Sequence, residues 1–128
     1  MNSEQKNSRG WIDAYCMAKP GVTREFKPAW DMELYRVGGR IFAETGGDRE
    51  GRPILTMKLE PAFSELLRAQ YPGWVVPGYY CNKVHWSSAY YDSPLPDAAM
   101  MAMLDNAYLT VFSSLTKKAR SAVSGEGS

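Results

Sequence analysis

The chain has 128 residues, 45% hydrophobic and 23% charged, which fits one domain able to bury a core without metals or disulfides. Fifteen Lys and Arg against fourteen Asp and Glu leave a net charge of +1, short of the general positive charge of a dedicated nucleic-acid binder. No run of about 18 apolar residues exists, which excludes a transmembrane helix, and the polar start MNSEQKNSRGW has no apolar segment of a secretory signal.

Residues 7–19 read as a first helix. Trp11, Ile12, Tyr15 and Cys16 form one apolar stripe, Asn7 or Ser8 can cap it, and Lys19-Pro20-Gly21 ends it. Trp30, Met32 and Leu34 alternate with Asp31, Glu33 and Tyr35, the period of a strand. Gly38-Gly39 then signals a two-residue hairpin leading into a second strand from Ile41 to Glu44. TGGDREGRP is a longer glycine-rich loop, and Ile54 to Leu59 form a third strand. Pro61 opens a second helix whose Phe63, Leu66, Leu67 and Gln70 share a face, and Pro72-Gly73 stops it. WVVPGYYCN reads as an irregular connection and Val84 to Tyr91 as a fourth strand. Residues 97–114 give the longest helix, with Met100, Met101, Leu104, Tyr108, Val111, Phe112 and Leu115 facing the core. SAVSGEGS is expected to fray, leaving an ordered core over about residues 8–120 of a single domain. The element order predicts an α+β fold, one antiparallel sheet with helices packed mainly on one face.

The chemistry-bearing residues concentrate in YYCNKVHWSSAYYDSPLPD, residues 79–97. His85 is the chain's one histidine, and a general base of that kind needs a nucleophile and an orienting group. On a strand, His85 and Ser87 share one face while Val84, Trp86, Ser88 and Tyr90 share the other. Pairing Trp86 with Val84 puts the aromatic face against the helices and Lys83 with His85 on the open face. On the third strand Leu55, Met57 and Leu59 make the better core, which turns Thr56 and Lys58 to the open, solvated face. Cys16 and Cys81 are far apart, lack a CxxC, and read as reduced thiols of a cytoplasmic protein. One histidine and two separated cysteines give no zinc spacing, and GGDREG lacks the lysine of a phosphate loop, so neither metal nor cofactor is expected. Met100, Met101 and Met103 read as core or helix surface, and Lys117, Lys118 and Arg120 as a solvated helix end.

YCMAKPG, IFA, KLEPAFSELLRAQYPG, NKVHWSSAYYDSPLPD and the following NAY together resemble the MmcQ/YjbR-like family over roughly residues 11–120. The resemblance implies a fold similar to the bacterial frataxin homologue (CyaY-like) and DNA binding through two hairpin wings. Carried onto this sequence, it points to Lys58, Asn82, Lys83, His85 and Trp86, with Arg40 and the Arg49–Arg52 segment at the wing tips. Asp48 and Glu50 beside Arg49 and Arg52 cancel much of the second tip's charge. The first helix carries only Asp13 after its start, so frataxin-type iron binding does not transfer. The expectation is a non-enzymatic protein with weak, salt-sensitive DNA contact, no membrane association, a monomer or weak dimer. The alternative is an interaction module taking a protein or small anionic ligand on the open sheet face. A hydrolase using His85 ranks last.

Overall fold

The structure, a computed structural model, describes residues 9–78 and 82–124. Helix α1 (Trp11–Met17) is followed by β1 (Val22–Lys27), β2 (Met32–Val37), β3 (Arg40–Gly47), β4 (Pro53–Lys58), α2 (Pro61–Gln70), β5 (Val75–Pro77), β6 (Trp86–Tyr90), α3 (Asp97–Ser114) and α4 (Lys117–Ser124). The strands form one antiparallel sheet in the order β1-β2-β3-β4-β6-β5. The α+β expectation holds. No helix among the described residues is long and apolar enough to cross a membrane.

Six strands replace the four expected. β1 alternates Val22, Arg24 and Phe26 with Thr23, Glu25 and Lys27, too polar to read as a strand, and it forms by pairing along β2. β5 has three residues and exists only through β6. Ser121 to Ser124, expected to fray, close a helix that starts at Lys117 and is capped by Thr116 Oγ1 accepting from the Ala119 N–H at 3.1 Å. The proposed caps Asn7 and Ser8, and Cys81, lie outside the described residues.

The register sorts the sheet into two faces. Opposed residues in an antiparallel pair point the same way. Leu55 and Met57 therefore share a face with Ala43, Tyr35, Ala89 and Ser87. The helices cover this face. The Tyr35 hydroxyl donates to Asp13 of α1 at 2.8 Å, Ser64 of α2 meets Ser87 Oγ at 2.5 Å, and Tyr108 of α3 packs edge-on against Phe42. A register shift between Tyr35 and Arg36 makes room for Phe42, fully buried beside Ala43. Met103 and Ala107 join the α3 stripe, because α3 lies over β3 and β4 and buries a wider arc than the sequence pattern assigns. On α2 the sheet-facing residues are Ser64 and Leu67, while Leu66 is exposed, a correction to the Phe63–Gln70 stripe.

The other face carries Leu34, Ile54, Thr56, Lys58, Trp86, Ser88 and Tyr90. This inverts the expected arrangement of the fourth strand: Trp86 and Tyr90 lie opposite Lys58 and Ile54, and Ser87 faces the core. The reason is that Val84 is not on the strand at all, so it cannot set the phase. The centre of this face is not solvated either. Thr56 and Ser88 are buried and hydrogen-bonded hydroxyl to hydroxyl at 2.7 Å, so each satisfies the other.

Buried polar groups fasten the ends of the layers. Arg9 is 7% exposed and spends its guanidinium on the Tyr91, Ser93 and Leu95 carbonyls and on Asp97, tying the start of α1 to the β6–α3 connection. The Cys16 thiol is buried, and burial pushes its pKa up to about 12, which leaves it unreactive.

The β2–β3 turn needs both glycines. Gly38 and Gly39 take φ of 59° and 83°, the positive values of a primed hairpin turn. A Cβ on Gly38 would also lie 2.6 Å from Leu115 Cδ1, whereas one on Gly39 would meet nothing within 4 Å. Gly39→Ala should therefore cost only the left-handed penalty of about 1–2 kcal/mol. Gly38→Ala should cost more, and comparison of urea midpoints checks the order.

Candidate functional site

The NKVHW segment is a turn that launches β6. Asn82 Oδ1 accepts from the Val84 and His85 N–H groups at 2.9 and 3.2 Å, and its carbonyl accepts from Trp86 N–H at 2.9 Å. Arg68 of α2 donates to the Lys83 and Trp86 carbonyls and to Ser87 Oγ, locking the turn onto the helix. Lys83 Nζ donates to the Gly78 carbonyl at 3.1 Å. Gly78 lies so close to β6 that a Cβ would stand 2.8 Å from Trp86 Cβ. Asn82, Lys83 and Trp86 thus hold local structure, and Val84 and His85 are the side chains left projecting.

Among the described residues none is placed to act as a catalytic partner of His85. Its side chain is exposed and makes no hydrogen bond to a described residue, and Ser87 points into the core toward Ser64. Among the described residues no cluster of His, Cys, Asp and Glu could hold a metal ion.

Antiparallel register gathers a different set at this end of the sheet. β4 finishes at Lys58 and β6 starts at Trp86, directly opposite. Arg40 leaves the β2–β3 turn at the same end, because β3 runs against β4. Gly38 touches Leu115, so the α3–α4 corner, with Lys117 and Lys118, sits beside that turn. Arg40, Lys58, Lys117 and Lys118 form no ion pair with a described carboxylate, and the Glu60 carboxylate nearby caps α2 by accepting from Phe63 N–H. Lys117 and Lys118 do not decorate a helix C-terminus as the sequence suggested. They open α4, where the macrodipole adds to their positive field.

The second expected tip lies at the opposite end, roughly 25 Å away along the eight residues of β3. Arg52 is not available there. Its guanidinium grips Asp92 with two hydrogen bonds at 2.8 and 3.2 Å and lies 4.0 Å over the Tyr90 ring. Asp48 closes the loop, accepting from the Glu50 and Arg52 N–H groups and from the Tyr90 hydroxyl. Of the expected site residues, the structure pairs Lys58 with Trp86, places His85 and Arg40 at the same end of the sheet, and separates Arg49 and Arg52 from them.

A cleft of about 940 Å³ opens at this second end, on the helix-covered face between the start of α1 and the sheet. Phe26, Trp30, Glu33, Asp13, Arg24 and Tyr91 help to line it. Sequence reasoning missed it because β1 was not legible. Asp13 Oδ1 takes hydrogen bonds from Arg24 and from Tyr35, both at 2.8 Å.

The YjbR family model matches residues 17–110. The chain is 35% identical over 106 residues to uncharacterized protein YjbR of Escherichia coli strain K12, covering 83% of this chain and 88% of that one. It is 30% identical over 88 residues to uncharacterized protein YbdF of Escherichia coli O157:H7, covering 69% and 70%. A crystal structure of a Deinococcus radiodurans protein with a DUF419 domain superposes with a TM-score of 0.77 at 26% identity, covering 88% of this chain and 84% of that one. A Pseudomonas syringae protein shares the fold, with a TM-score of 0.61 at 18% identity over 77% of this chain and 94% of that one.

The carboxylates at the cleft end set an acid limit. The Arg52 hydrogen bond holds Asp92 below the ordinary carboxylate range. Partial burial pushes Asp13 and Asp48 upward, but hydrogen bonds outweigh it, from Arg24 and Tyr35 to Asp13 and from Tyr90, Arg52 and Glu50 to Asp48. All three bind protons more weakly folded than unfolded. Their stabilisation is complete above about pH 4 and is lost as pH falls through the depressed values. Urea midpoints should hold down to about pH 4 and then decline, and Arg52→Ala should make the decline shallower.

Proposed function

We propose, from the premise that the chain belongs to the YjbR family, that it binds DNA without catalysis, through phosphate contacts at the basic end of its sheet. One observation carries the reading: Arg40, Lys58, Lys117 and Lys118 all lie at that end of the sheet, and no described carboxylate is paired to any of them. A phosphate backbone is the ligand that such a patch suits. Unpaired cations and a helix N-terminus both favour it, and neither requires a base-specific pocket. His85 projects into the same end, and half-buried Trp86 borders it beside Lys58. The net charge of +1 keeps the affinity modest, and the phosphate contacts make it salt-dependent through counterion release. A DNA-binding role is consistent with residence in the cytoplasm and with a buried, reduced Cys16.

The open sheet face offers less to a protein or small anion. Its central hydroxyls, Thr56 and Ser88, are buried and bonded to each other. Arg49 and Arg52 fall outside the interface, so the two-hairpin arrangement reduces to a single tip joined by the α3–α4 corner.

Fluorescence anisotropy with a labelled duplex tests the reading. The log–log salt slope should be roughly −3.6 for four contacts at about −0.9 each. Arg40→Ala/Lys58→Ala should weaken binding and flatten the slope by about 1.8, and Lys117→Ala/Lys118→Ala should do the same. Arg49→Ala should change little. Absence of salt-sensitive binding, or a larger loss from Arg49→Ala than from either pair, would sink the proposal.

A further inference from the structure

We propose that the cleft at the acidic end of the sheet binds a small organic cation with an apolar body, of the arylalkylamine type. The site lies at the opposite end from the phosphate-binding patch and does not depend on that reading.

The cleft has the volume of a small-molecule site, about 940 Å³. Its rim carries two aromatic rings that the core does not use. Trp30 is 68% exposed and Phe26 is 49% exposed, and both line the cavity. Trp30 is held out by the tight β1–β2 turn, in which its N–H donates to the Lys27 carbonyl at 3.1 Å. Rings presented in this way bind an apolar body by area and a cation by the negative face of the ring.

The charge of the lining chooses the sign of the ligand. Arg9 is neutralised by Asp97, at 2.6 Å. Arg24 is engaged by Asp13, at 2.8 Å. Glu33 shares that same guanidinium, so two carboxylates stand against one cation. Its Oε1 is shut off from solvent and makes no hydrogen bond, the Arg24 Nε staying at 3.6 Å in a loose ion pair, while the side chain as a whole is 33% exposed. A carboxylate held by no side-chain hydrogen bond and still one-third exposed offers an incoming ammonium the charge-assisted bond that Arg24 leaves unmade. An anion would meet the same carboxylate as repulsion. Glu33 and Phe26 are cross-strand partners on β2 and β1, so the carboxylate and one ring are presented side by side on one face.

The test uses the full chain and three probes of like size: 2-phenylethylamine, 2-phenylethanol and phenylacetate. Titrations followed by amide and indole N–H chemical shifts should show the amine binding with a Kd of roughly 1 mM, with shifts at Trp30, Phe26 and Glu33. The alcohol and the acid should bind about tenfold more weakly or not at all, as expected without a charge-assisted hydrogen bond. Glu33→Gln should erase the preference for the amine over the alcohol. Trp30→Ala, at an exposed position that leaves folding intact, should weaken amine binding about threefold or more. The proposal fails if the amine binds no better than the alcohol. It fails equally if Trp30→Ala leaves the amine affinity unchanged, or if a folded Glu33→Gln protein keeps the preference.

Discussion

A meander reverses at alternate ends, and that constraint decides what this protein can present. β2, β3 and β4 are joined by consecutive hairpins, so the Gly38–Gly39 turn and the Asp48–Arg52 loop must lie at opposite ends of the sheet. Two basic tips that look alike in sequence cannot meet one ligand side by side. Each end instead recruits what the other elements deliver to it. The α3–α4 corner adds lysines to the first, and the β1–β2 turn and the start of α1 add carboxylates and rings to the second.

The two faces of the sheet differ for a related reason. The helices lie across one side of the sheet, and hydroxyl and guanidinium groups fix where they land. Ser64 and Arg68 meet Ser87, Asp13 meets Tyr35, and Arg9 closes over the Tyr91 to Asp97 connection. These contacts are buried or half-buried and satisfied, so they specify register at little cost in unpaired polar atoms. The opposite face is left with its own internal pairs, Thr56 with Ser88 and Lys58 beside Trp86.

The NKVHW segment shows how a distinctive sequence can arise from architecture. Asn82 folds the turn, Lys83 reaches back to Gly78, and Trp86 begins the strand against which Gly78 packs. The demands of a tight turn, a close backbone approach and a strand start account for most of its unusual composition. What remains for a partner is His85 and Val84, in a setting that Arg68 holds rigid. The residues with free positive charge lie nearby, but on other elements.

By itself the sequence determined the elements whose signals are local. Gly38-Gly39 demanded a primed turn, the spacing of Met100, Leu104, Tyr108 and Val111 demanded a helix, and Leu55, Met57 and Leu59 marked the core side of β4. These rest on φ preference and periodicity, which neighbours along the chain are enough to express. Only the tertiary structure decided the rest. β1 and β5 form because β2 and β6 offer unpaired edges, not because their own residues insist. Trp86 faces away from the helices because pairing with Lys58 fixes its phase. Arg52 is withdrawn from any ligand by an aspartate forty positions along the chain. Lys117 and Lys118 come to the Arg40 end of the sheet only because α3 ends beside the β2–β3 turn. Charge and aromatic character are written in the residues, but whether a charge is paired and which way a ring faces depend on groups distant in sequence.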